Sequence, residues 1–216
     1  MRILVFAPHN DDETLGCGGT IAKYAEEGHE VYVCEATSGT DENVVNKIKG
    51  EALRAHEILG VKGTIFLELP VVALKDTPTI QINARFQKIV EELRPNLAFI
   101  PHKGDMHIDH GEVAKAAMGA LRPMENPQLK GIYAYETLSE TEWNIPGPDH
   151  AFLPNVWNPI EGYLEKKLKA MSCYQSQLKE FPHPRSLEAI EALAKLRGST
   201  IGAAEAECFM AVRQVW

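Results

Sequence analysis

An α/β fold with a mostly parallel sheet is what this sequence predicts, on three observations. Short apolar runs at residues 3–7 and 97–100, and strand-like stretches at 31–36 and 64–69, are separated by segments with helical spacing. The runs at 3–7 and 97–100, unbroken by a polar residue, read as strands buried on both faces, as in parallel sheets. The resulting β-α-β-α-β-α-β alternation calls for right-handed crossovers that lay helices on the sheet. A length of 216 residues, without linker, repeat or low-complexity tract, suits one domain over 1–216.

The elements follow in order. Residues 2–7 form the first strand. A helix runs from 14 to about 27, with Leu15, Gly19, Ala22 and Ala25 near helical spacing and Gly28 at its end. The second strand is 31–36, and 37–43 is a polar loop. A helix then runs to Leu59, ended by Gly60, and the third strand is 64–69. A loop over 70–78 contains Pro70 and Pro78. The next helix spans 80–93 and stops before Pro95. The fourth strand is 97–101. Beyond it, 112–121 reads as helix, 131–137 as a fifth strand, and 141–159 as a loop holding one more short strand. Helices are expected at 161–178 and 185–197, and an edge strand at 209–215.

Two stretches leave the carboxyl ends of strands one and four. They are Pro8-His9-Asn10-Asp11-Asp12-Glu13 and Asp105-Met106-His107-Ile108-Asp109-His110. Open α/β sheets place ligand sites at such ends, and a strand order of 3-2-1-4-5 makes these two ends neighbours. Imidazoles and carboxylates gathered there read as a metal site with acid–base groups beside it. A catalytic zinc typically takes three N or O ligands and leaves a fourth position open. His9, Asp12 and His110 supply that set. Asp11, adjacent to Asp12, is left to take a proton from water. His107, as an imidazolium held by Asp109, is placed to stabilise an oxyanion and protonate a leaving nitrogen. Other divalent transition ions suit the same donors.

Plainer readings stand beside these. Asp11-Asp12-Glu13 ahead of a helix is also an ordinary N-terminal cap. That reading leaves His9 and the H-x-D-H cluster without a role. Gly16-Cys17-Gly18-Gly19 is not G-x-G-x-x-G, and the acidic residues before it would repel a pyrophosphate. Close packing of the first helix is its expected role. Trp143 and Trp157 either pack loops or wall a sugar pocket.

Composition narrows the partners. A net charge of −8 with no basic run argues against nucleic acid. No apolar run reaches ~18 residues, and the start is too quickly polar for a signal peptide, so no membrane span and a cytoplasmic location are expected. Cys17, Cys34, Cys173 and Cys208 are scattered, as reduced core thiols are.

The paired motifs resemble those of the PIG-L/LmbE-like zinc-dependent N-acetylglucosaminyl deacetylases. The family's (A/P)-H-P-D-D-E stands here as residues 8–13 with Asn10 in place of Pro, and its H-x-D-H as 107–110. Weaker echoes are Thr37-Ser38-Gly39, Glu51-Ala52, Tyr174-Gln175-Ser176-Gln177, Arg197-Gly198 and Ala206-Glu207-Cys208-Phe209. The resemblance implies a Rossmann-like three-layer sandwich with Zn2+ on His9, Asp12 and His110. It implies Asp11 as general base and His107, with Asp109, as the electrophilic or acid histidine. It further implies hydrolysis of the N-acetyl group of a GlcNAc-type sugar or glycoside, and a homo-oligomer. Relatives often carry a substrate-binding Arg where this chain has Ile48, flanked by Lys47 and Lys49. Lys49 and Glu207 are the substrate-binding candidates, Lys49 as a point charge rather than a clamp. Uncharged substrates are therefore expected to serve at least as well as carboxylated ones.

Two alternatives are a metallo-β-lactamase-like hydrolase, suggested by Asp105-x-His107-x-Asp109-His110, and a metal- or sugar-binding module without turnover. The first requires a strand-rich sandwich and leaves His9 and Asp12 unexplained.

Overall fold

A computed structural model describes residues 1–215. Seven strands form one sheet: β1 (Arg2–Ala7), β2 (Glu30–Ser38), β3 (Gly63–Pro70), β4 (Leu97–Pro101), β5 (Gly131–Tyr135), β6 (Val156–Pro159) and β7 (Ala206–Gln214). Their order is β3-β2-β1-β4-β5-β7-β6. The first five run parallel, and β7 pairs antiparallel with both β5 and β6. The order 3-2-1-4-5 is thus as expected. The last strand is not at the edge, however. Its first half carries Ala206, Cys208 and Phe209 into the core, and the four-residue β6 takes the edge.

Side chains alternate across each strand, so the sheet separates two cores. Ile3 and Val5 face one with Val31 and Val33; Leu4 and Phe6 face the other with Phe86 and Ile132. Helices α1 (Asp12–Glu26), α2 (Glu42–Leu59), α5 (Leu164–Met171) and α6 (Leu187–Ser199) cover the first face. Helices α3 (Thr79–Leu93) and α4 (Ile108–Ala120) cover the second, giving three layers.

Two boundaries differ from expectation in ways that matter. Helix α4 begins at Ile108, so Asp109 and His110 lie in its first turn rather than in a loop. Helix α5 ends at Met171, and the turn after it buries Tyr174. The glycines of α1 act in packing, as expected. A Cβ on Gly16 would sit 2.2 Å from the Tyr135 ring, and one on Gly19 2.6 Å from Ile160. The four cysteines are free, and three are buried.

Candidate functional site

Strands β1 and β4 lie side by side, with Ile3, Leu4 and Val5 opposite Leu97, Ala98 and Phe99. The winding of the sheet reverses between them, which opens a crevice at their carboxyl ends. The loop after β1 is pinned from β2, where the Thr37 N–H and hydroxyl both donate to the Pro8 carbonyl, at 3.1 and 2.8 Å. Within that loop the N–H groups of Asp11 and Asp12 turn back to the His9 carbonyl, at 3.0 and 3.3 Å. The His9 N–H in turn donates to Asp12 Oδ2 at 2.9 Å. This tight turn aims the His9 and Asp12 side chains at one point.

His110 meets them from α4. Asp12 Oδ2 lies 3.2 Å from His9 Nδ1 and 3.2 Å from His110 Nε2. His110 Nε2 and Asp12 Oδ1 are buried and make no hydrogen bond. Oxygen and nitrogen ligands at about 2.0–2.1 Å in a tetrahedron stand about 3.3–3.4 Å apart, so these separations match a shared cation. Each imidazole is also held from behind. His110 Nδ1 is 2.8 Å from Asp105 Oδ2, and His9 Nε2 is 3.4 Å from Asp109 Oδ2. With the outward ring protons held by those carboxylates, the inward nitrogens are the ones a metal would take, displacing their protons. Positive charge is favoured here. Burial works against it, yet Asp109 and Asp12 raise His9 to about 9, and Asp12 and Asp105 raise His110 to about 10. Burial likewise opposes charge on Asp12, but His110 and His9 hold its carboxyl well below the usual range. The donor set, the converging nitrogens and the orphaned oxygen fit a divalent transition ion.

Asp11 is buried beside this centre but is not one of the three converging side chains. Its Oδ2 meets Arg185 Nη1 at 3.1 Å. Burial pushes its carboxyl up to about 7, with Arg185 pulling the other way. Its side chain makes no cap bond to α1, so the plain capping reading does not hold for it. His107 lies edge-on to His9, with centroids 4.4 Å apart. The expected pairing of His107 with Asp109 is made chiefly through the backbone. Because α4 starts at Ile108, His107 is its N-cap, and Nδ1 accepts the Asp109 N–H at 3.2 Å. Asp109 Oδ2 instead accepts from the Val72 N–H at 2.7 Å and faces His9; it stands 3.9 Å from His107 Nδ1. Burial and the nearby His9 push His107 down to about 4, which favours the neutral imidazole, and the Asp109 N–H on Nδ1 assigns the ring proton to Nε2.

A cavity of about 410 Å³ opens over these groups. His9, Asp11 and His107 line it, together with Val44, Val45 and Ile48 of α2 and with Arg185, Gln177 and Glu140. Lys49 is at its rim but pairs with Glu68 and lies over the Phe66 ring. Glu207 is elsewhere, which corrects the expectation for it. Its carboxylate accepts the Gly19 and Thr20 N–H groups at 2.9 and 2.7 Å and the Lys167 ammonium at 2.6 Å, locking β7 to α1 and α5. Neither Trp143 nor Trp157 lines the cavity. The mostly parallel sheet also removes the metallo-β-lactamase-like alternative.

Asp105 and Arg185 had no role in the sequence reading. Asp105 is signalled by its place in the motif, five residues before His110. Nothing in the sequence ties Arg185 to Asp11 across 174 residues.

Comparison with known proteins gives a consistent picture. The PIG-L family, described as GlcNAc-PI de-N-acetylase, matches residues 4–121. The chain is 29% identical to a probable N-acetyl-alpha-D-glucosaminyl L-malate deacetylase 2 of Bacillus anthracis, over 82% of this chain and 81% of that one. It is 31% identical to the uncharacterized deacetylase YaiS of Escherichia coli strain K12, over 81% of this chain and 90% of that one. The fold matches the conserved protein TT1542 of Thermus thermophilus with a TM-score of 0.78 and 28% identity, covering 99% and 96% of the two chains.

Proposed function

The chain belongs to the PIG-L family, and from that premise we propose that it hydrolyses the N-acetyl amide of a GlcNAc-type amino sugar, releasing acetate. The observation that carries this reading is the meeting of His9, Asp12 and His110 beneath a cavity lined by Asp11 and His107. We assign a divalent ion, zinc by the resemblance, to those three side chains. Such an ion supplies Lewis-acid polarisation and lowers the pKa of water.

The chain's own groups then divide the work. Asp11 accepts a proton from the attacking water, whose oxygen bonds to the amide carbon. Its contact with Arg185 fixes which carboxylate oxygen faces the cavity. His107 donates its Nε2–H to the carbonyl oxygen as negative charge develops there. When the C–N bond breaks, Asp11 returns the proton to the leaving nitrogen. The products are acetate and a free amine. Asp105 and Asp109 keep His110 and His9 in their ligating tautomers.

The lining supports uncharged substrates. Its two formal cations, Lys49 and Arg185, are already paired, with Glu68 and with Asp11 and Glu140. Val44, Val45 and Ile48 offer an apolar wall to the group beyond the sugar. A cytosolic location is in keeping with the four free cysteines.

The test is acetate release by metal-loaded protein from a panel of N-acetylglucosamine derivatives, with neutral glycosides set against the malate glycoside. Turnover of neutral members at equal or higher kcat/KM supports the reading. Tight binding without acetate release on every member points to a sugar-binding module instead.

A further inference from the structure

Asp12 and Glu13 are consecutive in the first turn of α1, so their side chains diverge by about 100°. Asp12 faces the crevice. Glu13 faces inward, to a second group of ligating side chains formed with Glu35 of β2 and His56 of α2. All three are buried, and their ligand atoms lie within 4.8 Å of one another. His56 Nε2 is 3.2 Å from Glu13 Oε1 and 3.5 Å from Glu35 Oε1, yet neither contact is aligned as a hydrogen bond. Glu13 Oε2 and both oxygens of Glu35 are also without partners.

We propose that Glu13, Glu35 and His56 form a second divalent-cation site, structural rather than catalytic. Four features carry it. The ligand separations straddle the about 3.3–3.4 Å edge of a tetrahedral N/O site. The His56 side chain is only 3% exposed, with its Nε2 directed at two carboxyls and aligned as a hydrogen bond with neither. Its Nδ1 is held by Thr64 Oγ1 at 2.7 Å, as His110 Nδ1 is held by Asp105. And no Lys or Arg among the described residues pairs with Glu13 or Glu35, so the single imidazole of His56 is the one basic group facing two buried carboxyls. Hydroxyls satisfy only one oxygen: Tyr174 and Thr14 both donate to Glu13 Oε1, at 2.6 and 2.5 Å. Uncompensated buried charge is costly, and a divalent ion neutralises this pair. The mixed imidazole–carboxylate donors select a zinc-like transition ion over calcium or magnesium.

The site is sealed, so the ion enters during folding and then ties α1, β2 and α2 together behind the His9–Asp12 turn. The competing occupant is a proton on Glu35, whose acidity is suppressed by burial and by Glu13.

The test is elemental analysis of full-length protein produced with Zn2+ present, then exposed to a chelator. Wild type should carry about two ions per chain, one of them resistant to chelation, given three protein ligands at each site. Glu35→Gln, nearly isosteric, should lose the resistant ion and keep the labile one. His110→Ala should do the reverse, which separates this site from the catalytic one. Where a variant does not fold, anomalous scattering at the zinc edge from wild-type crystals decides. A peak among Glu13, Glu35 and His56 supports the proposal. About one ion per chain in wild type, lost in His110→Ala, or a zinc-loaded crystal with no peak there, overturns it.

Discussion

Asp105 Oδ2 stands 2.8 Å from His110 Nδ1, and this contact fixes which nitrogen of His110 faces Asp12. The Thr141 hydroxyl donates to the other Asp105 oxygen at 2.6 Å, so the carboxylate cannot swing away. Asp105→Ala should therefore weaken metal affinity by roughly 10–100-fold while leaving the three ligands in place, as loss of a carboxylate behind a ligating histidine does. Competition titration with a chromogenic chelator measures it. Unchanged affinity would mean that the helix backbone alone orients His110.

His107 tests the corrected tautomer. A group pushed down to about 4 is already neutral above that pH and cannot supply an alkaline limb to the activity profile. His107→Ala should lower kcat by roughly 10²–10³-fold, the usual worth of one oxyanion donor, without moving either limb. A pH series of kcat/KM on the variant decides. Loss of the alkaline limb would restore the imidazolium role that the sequence suggested.

The strand order 3-2-1-4-5 and the meeting of His9, Asp12 and His110 were legible because strand ends are marked by apolar runs and the motif residues sit just past them. The start of α4 was not. Asp109 and His110 are polar, and polarity next to a strand reads as loop. Both are buried at its first turn only because His9, Asp12 and Asp105 receive them, a tertiary fact. The same blindness hid Arg185, which reaches Asp11 from the segment before α6. It also made Glu13 look like part of a helix cap, when its Oε1 meets Tyr174 and His56 from elsewhere in the chain. The interior position of β7 was concealed by its exposed second half.

Glu207 separates packing from substrate binding. It is buried with Lys167, and both oxygens are engaged. Lys167→Met strands its charge, at a cost of about 3–5 kcal/mol. In a chain of this size that lowers Tm by roughly 6–20 °C. Below that transition kcat/KM should change little, because Glu207 is not at the cavity. Calorimetry and acetate release on the same sample test both halves. A KM effect without a Tm shift would return Glu207 to the substrate site.

The adjacent aspartates look alike in sequence and differ in the structure. Asp12 contacts both His9 and His110, and Asp11 contacts Arg185. Asp12→Asn replaces an anionic ligand with a weak neutral one and should release the ion. Asp11→Asn keeps the shape and removes the base, so the ion should stay while kcat falls by roughly 10²–10⁴-fold. KM should hold if chemistry is slow relative to dissociation. Arg185 gives the sign of the pH effect. Asp11 acts as base only when ionised, and burial has already raised it to about 7, with Arg185 opposing. Removing that positive charge in Arg185→Gln raises the carboxyl further, so the acidic limb of kcat/KM should move to higher pH. A bound divalent ion lowers the whole limb in both proteins and leaves the direction of the difference intact. An ordinary helix cap makes a different forecast, since Asn caps about as well as Asp and both Asn variants would stay active. Metal content and kcat measured together on Asp11→Asn and Asp12→Asn separate these outcomes. Loss of the ion from Asp11→Asn, with retention in Asp12→Asn, would reverse the two roles.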